Sequence, residues 1–219
     1  MIIVIDGPAG SGKSSTAREI ADRLNIQFLD SGALYRALTF LWIRNNKPDK
    51  ATFFEILPET DLKTEYRNQT FFVNANGDDI TSDIRSHNVA NYVSKVASWP
   101  EARAFVNQYM RNLVQKNAYV ADGRDLGTAV FPDANLKFYM DASIEERARR
   151  RFAEMKNSDP NVTLEEVKDN LRSRDHADQN RKADPLKKAN DAIVIDTTGK
   201  TFEEQVQEII LIIKEKLKL

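Results

Sequence analysis

The stretch Ile2-Ile3-Val4-Ile5-Asp6-Gly7-Pro8-Ala9-Gly10-Ser11-Gly12-Lys13-Ser14-Ser15 decides how the rest of the chain is read. Four consecutive apolar residues, Ile2 to Ile5, have the character of a strand buried on both faces of a parallel sheet. From Ser15 to Leu24, Ala17, Ile20, Ala21 and Leu24 recur at helical spacing. Between strand and helix lies G-x-x-x-x-G-K-[ST], the phosphate-cradling pattern in the context it requires. Its glycines let the backbone come close to a phosphate. Successive N–H groups form an anion-binding concavity, and the following helix N-terminus adds partial positive charge. Lys13 is placed to reach the β- and γ-phosphates of a triphosphate, and the Ser14 hydroxyl to ligate Mg²⁺. Gly7 through Ser15 are the triphosphate-binding candidates. The same loop serves kinases, switches and motors, so it sets the ligand without setting the reaction.

Working outward, 219 residues suffice for one large core with small appendages. A hydrophobic fraction of 41% and a charged fraction of 30% are those of an ordinary globular protein. A net charge of −1 provides no global field toward nucleic acid or an anionic membrane. There is no cysteine, which excludes disulfides and thiolate chemistry and fits a reducing compartment. The first strand begins at once, with no leader-like segment, and no apolar run approaches a membrane span. A cytoplasmic protein, acting as a monomer, is expected.

Along the chain, Ile26 to Leu29 reads as a second strand. A helix to about Asn46 follows, with Ser31 as its candidate cap. Between Pro48 and Ser82 the pattern changes. Leu62 to Tyr66 and Thr70 to Asn74 read as strands, and Asn76-Gly77 is a turn into a third segment, so a small antiparallel insert is expected. Helices are expected from Ile84 to Ser98 and again from Pro100, and strands at Ala118 to Asp122, Leu136 to Met140 and Ala192 to Ile195. Ser143, Thr163 and Thr201 each precede a glutamate three residues on, the sign of a capping box. The fold class is thus α/β: about five parallel strands with right-handed helical crossovers, plus two excursions. The insert is bounded at about 47–83 and a helical pair at about 147–185, leaving 1–46, 84–146 and 186–219 as core.

Other constellations bear on chemistry. Asp122 closes a strand at the ligand edge, where a second Mg²⁺-organising acid, acting through water, belongs. Arg36, Arg103, Arg124, Arg174 and Arg181 lie near loops or excursions, and guanidinium groups clamp phosphate bidentately. Arg147, Arg149, Arg150 and Arg151 form a run that reads either as a solvated face or as lid cations meeting the transferring phosphate. Asn46-Lys47-Pro48-Asp49 spells the guanine-reading N-K-x-D, but it follows a helix, so a chance match is the better reading. His87 and His176, with no cysteine beside them, make a zinc site unattractive.

Four segments, Gly7 to Ser14, Asp30-Ser31-Gly32-Ala33-Leu34-Tyr35-Arg36, Asp122-Gly123-Arg124-Asp125-Leu126-Gly127-Thr128 and Arg174-Asp175 through Arg181, occur in the order seen in bacterial cytidylate kinases. The chain resembles that family over its whole length. The resemblance implies a P-loop kinase fold with a monophosphate-binding insert and a short helical lid. It implies transfer of the ATP γ-phosphate to CMP or dCMP with Mg²⁺. Carried over by position, it implies Ser31 and Arg36 on the acceptor side and Tyr35 lining that pocket. Ser94 and Arg103 would read cytosine, with Asp125 at its amino group. Arg124 and Arg181 would hold the acceptor phosphate, and Arg174 and Asp178 the sugar. The catalytic set would be Lys13, Arg124 and Arg181, with Arg147 and Arg151 from the lid. The competing expectations are a P-loop kinase for another acceptor, such as UMP, and a GTP-dependent switch.

Overall fold

The computed structural model describes residues 1–156 and 160–218. The chain runs β1 (Ile2–Asp6), α1 (Lys13–Leu24), β2 (Gln27–Asp30), α2 (Ser31–Arg44), α3 (Lys50–Ile56), β3 (Leu62–Arg67), β4 (Thr70–Ala75), β5 (Asp78–Asp79), α4 (His87–Ala97) and α5 (Pro100–Leu113). It continues through β6 (Tyr119–Gly123), β7 (Leu136–Asp141), α6 (Ile144–Met155), α7 (Leu164–Asn180), β8 (Ile193–Asp196) and α8 (Phe202–Leu217). No helix among the described residues is long and apolar enough to cross a membrane.

The five core strands form one parallel sheet in the order β2-β6-β1-β7-β8. β1 takes the centre because its side chains can be buried on both faces: Ile3, Val4 and Ile5 are fully buried. Phe28, Val120, Phe138 and Met140 from neighbouring strands join them, and α8 adds Val206, Ile209 and Ile213. Phe202 does not join that apolar face and stays exposed at the start of α8. The chain leaves β1 toward β2 on one side and reaches β7 and β8 on the other. The carboxyl end of β1 is therefore a topological switch point, where ligands bind in open α/β sheets. Every core strand carries an aspartate at this end: Asp6, Asp30, Asp122, Asp141 and Asp196. In register, Asp30 and Ile5 flank Asp122.

The insert is the expected antiparallel sheet, β3-β4-β5. Both central residues of each hairpin turn have positive φ, Asn68 and Gln69 at 49° and 59°, and Asn76 and Gly77 at 56° and 90°. That is the conformation whose twist matches paired strands. The insert also contains α3, which the sequence reading did not anticipate. Asp49 caps it, its Oδ1 accepting from the Thr52 N–H at 3.1 Å, so the N-K-P-D string is a helix start.

Two caps differ from expectation. Ser31 is not the N-cap of α2. Asp30 has the extended backbone, and its carboxylate accepts from the Ala33 N–H at 2.8 Å. Thr163 and Thr201 form complete capping boxes. At Ser143 only half the box forms: its hydroxyl accepts from the Glu146 N–H, but its own N–H donates to Thr198 Oγ1. Glu146 is drawn away by Arg149 and Arg150.

Candidate active site

The phosphate loop is shaped by contacts that only glycine permits. A Cβ on Gly7 would lie 2.0 Å from the Met140 carbonyl oxygen. Gly12, the N-cap of α1, has φ 87°. Lys13 folds back over the loop and donates to the Pro8 carbonyl at 3.0 Å. Burial, and then the neighbouring Arg124 guanidinium, hold its amine well below the usual lysine value. Ser14 Oγ donates to Asp122 Oδ2 at 2.5 Å. The other Asp122 oxygen is buried without a hydrogen-bond partner among the described residues. Burial, and then Asp30, push the Asp122 carboxyl up. A hydroxyl and an under-satisfied carboxylate side by side are a donor set suited to a hard divalent cation.

From the loop a cleft of about 700 Å³ extends toward α2 and α4. Ala9, Gly10, Gly12, Lys13, Ser14 and Ser15 line one end, and Ser31, Tyr35, Arg36 and Ser94 the other. Between them lie Asp122, Arg124, Arg151, Arg174 and Asp178, with Asp125 and Arg181 toward the Tyr35 end. Gly7, Pro8 and Ser11 are buried beneath the loop. Arg103, 2% exposed, stands behind the far wall.

At the far end Asp125 receives two guanidiniums. Arg103 Nη2 donates to Oδ2, and Arg181 Nη2 to Oδ1 at 2.7 Å. Arg103 lies over the Tyr35 ring, 5.5 Å from its centroid. The Tyr35 hydroxyl is buried without a partner among the described residues. Ser31 Oγ donates to the Asp122 carbonyl at 2.6 Å, which joins α2 to β6. Arg124 Nε donates to Asp178 Oδ2 at 3.0 Å.

Two cations of the cleft, Arg36 and Arg174, lack partners of comparable strength among the described residues. Arg36 makes one long contact, to the Ile84 carbonyl at 3.4 Å. Arg174 makes no hydrogen bond or ion pair among the described residues. Burial, and then Arg124 beside it, bring its value down to about 10. Several guanidiniums close together with few acidic partners are chemistry suited to a phosphate.

Arg147 is not brought to the cleft. Its guanidinium donates to the carbonyls of Ala142 at 3.0 Å and Ala9 at 2.9 Å, and to Asp175 Oδ2 at 2.6 Å. Asp175 Oδ1 in turn accepts from the Ala9 N–H at 3.2 Å. The pair grips both polar groups of one loop residue and fastens α6 and α7 to the phosphate loop, over a small apolar cluster of Ala9, Ala148, Val167 and Leu171. Arg147→Met is expected to cost about 3–5 kcal/mol, because Asp175 would stay buried without its counter-charge. Arg151→Met, which loses only an exposed pair with Glu154, should cost less than about 1 kcal/mol. Urea midpoints of the two variants check this.

Arg85, Gln205 and Arg150 also line the cleft, and the sequence reading missed the first two. Arg150 belongs to the arginine run already singled out, and its bonds to Thr197 mark it as the member tied to the end of β8. Arg85 and Gln205 carried no signal, since each is one polar residue in an ordinary helical turn.

A parallel sheet with a glycine phosphate loop at its switch point, opening on an arginine-lined cleft, defines a P-loop kinase. A crystal structure of an uncharacterized protein from Eubacterium ventriosum has the same fold, with a TM-score of 0.53 at 12% identity over 98% of each chain. The family model described as cytidylate kinase matches residues 3–215. The cytidylate kinase of Clostridioides difficile is 41% identical over 96% of this chain and 96% of its own length. That of Carboxydothermus hydrogenoformans is 42% identical over 99% and 98%. The chain belongs to the cytidylate kinase family.

Proposed function

We infer that this enzyme, a nucleoside-monophosphate kinase, transfers the γ-phosphoryl group of ATP to CMP and dCMP, releasing ADP and the corresponding diphosphate. The observation that carries the reading is the half-buried Arg174, unpaired among the described residues beside Arg124, in a cleft that also holds Lys13 with its amine held low. Two nucleotide phosphate chains supply the missing negative charge. Phosphoryl transfer asks mainly for alignment and charge stabilisation, so the absence of an evident general base fits.

In this assignment the loop amides and Lys13 hold the ATP phosphates, and Arg36, Arg124 and Arg181 hold the acceptor phosphate. Arg174 and Asp178 hold the sugar, and Arg174 with Arg151 also faces the transferring group. Tyr35, Ser94, Arg103 and Asp125 form the base end. Both Asp125 oxygens accept from arginines, yet each keeps a lone pair for the cytosine amino group, which uracil lacks. Ser14 and Asp122 are proposed to hold Mg²⁺, the latter through water. When bound, the ion would neutralise charge on the phosphate groups. The insert at about 47–83 would close over the acceptor. The lid at about 147–185, of which 157–159 lie outside the described residues, would close over ATP. We further propose a cytoplasmic monomer. The net charge of −1 supports a protein that works without nucleic acid or a membrane.

The test is coupled ADP release with ATP and Mg²⁺ against CMP, dCMP, UMP, AMP and GMP. Strong turnover confined to the cytidine acceptors, and abolished by EDTA, is expected. Equal turnover with UMP would overturn the base-end assignment. No turnover with any acceptor, in folded protein that binds ATP, would overturn the kinase reading.

A further inference from the structure

We propose that Asp184 is a positioning residue for base recognition. From the segment after α7 it fixes the plane of the Arg103 guanidinium, and with it the cleft wall that meets the acceptor base. The proposal rests on the base-end assignment above.

Arg103 is anchored at two of its three nitrogens. Nη2 donates to Asp125, and Nε donates to Asp184 Oδ2 at 2.8 Å. Its Nη1 reaches only the Ala97 carbonyl, at 3.5 Å. A guanidinium is planar, so holding Nε and Nη2 leaves it no rotation and reserves the donor capacity of Nη1. Asp125 alone would leave a pivot.

Asp184 is itself held. Its carbonyl accepts from Arg181 Nε at 2.7 Å, and Arg181 Nη2 donates to Asp125 at 2.7 Å. Arg103, Asp184, Arg181 and Asp125 thus close a circuit of two guanidiniums and two carboxylates, with no net charge. Within it Arg103 and Asp184 supply geometry to the base end, while Arg181 is the member also assigned to the acceptor phosphate. The backbone of Asp184 has φ 45°, a left-handed conformation that Asp and Asn adopt more readily than other side chains. The turn after α7 is therefore built to present a carboxylate at this point. Because Asp184 follows the lid helices while Arg103 belongs to α5, base reading depends on how that segment seats against the core.

Two substitutions tolerate the positive φ. Asp184→Asn removes the charge, and Asp184→Gly removes the side chain. The full chain carrying each is compared with Arg103→Lys for kcat/KM with CMP and UMP, KM for ATP, and thermal midpoint. The CMP/UMP ratio is expected to fall at least tenfold in Asp184→Gly and by less in Asp184→Asn, with KM for ATP within twofold. A ratio within twofold of the unsubstituted enzyme in both Asp184 variants, while Arg103→Lys lowers it, would overturn the proposal and leave the base-end assignment standing. A ratio unmoved in all three would overturn both.

Discussion

Replacing Lys13 by methionine is expected to lower kcat by about 10²–10³-fold or more while leaving the protein folded. Lys13 is 4% exposed, and the contact its amine makes is with the Pro8 carbonyl of its own loop. Charge on a transferring phosphoryl group spreads over its equatorial oxygens, and a buried ammonium aimed at them acts without screening by water. The same burial makes the charge a cost in the free protein, as its lowered pKa records. Methionine fills a similar volume without that cost, so the thermal midpoint should hold or rise as activity falls. Steady-state ADP release and a melting curve on the same sample check both halves. Normal turnover would remove Lys13 from the mechanism.

The second large effect is expected at Asp125. Asp125→Ala should lower the CMP/UMP ratio of kcat/KM by about 10²-fold or more, since a site built to accept from an amino group discriminates strongly against the analogue without it. KM for ATP should change little, because Asp125 lies at the far end of the cleft from the loop. Stability should fall too. Asp125 is 4% exposed and is the shared counter-charge of Arg103 and Arg181. Arg103 keeps Asp184 and Arg181 keeps Asp178, so the cost is expected at about 3 kcal/mol, the low end for a buried charge that loses a partner. At roughly 2–4 °C per kcal/mol for a chain of this size, that is a drop of roughly 10 °C in midpoint. Loss of stability with an unchanged ratio would make Asp125 a structural ion-pair partner and remove its base-reading role.

What was legible in the sequence follows from how locally each feature is determined. The core strands were legible because short apolar runs between turn signals have few other fates. The loop was legible because its glycines, lysine and serine are needed at fixed spacing on one strand–helix junction. The acid Asp122 follows from its strand end, whereas Asp125 entered only through the family resemblance. Arg147 and Arg151 show where this stops. They sit four apart on α6 and share a helix face, yet one is buried against Ala9 while the other reaches the cleft. That difference is made by α7 and the loop, which are distant in the chain. Asp30 took the cap expected of Ser31 because one residue's backbone turns where the strand ends, and boundaries of that kind are set by a few degrees of φ and ψ. The short helix α3 lay inside a stretch whose strands dominated the pattern.

Of the aspartates at the ends of the five core strands, Asp30 and Asp122 line the cleft, and the core sets Lys13, Arg36 and Arg124 among them. On the assignment proposed here, Lys13, Arg36 and Arg124 belong to the core, Arg151, Arg174 and Arg181 arrive with the lid, and an acceptor bearing its own phosphate is what draws the lid in. Water brings no such phosphate. It therefore meets ATP without the lid arginines that complete transition-state stabilisation, and wasteful hydrolysis is held down by where those cations are carried.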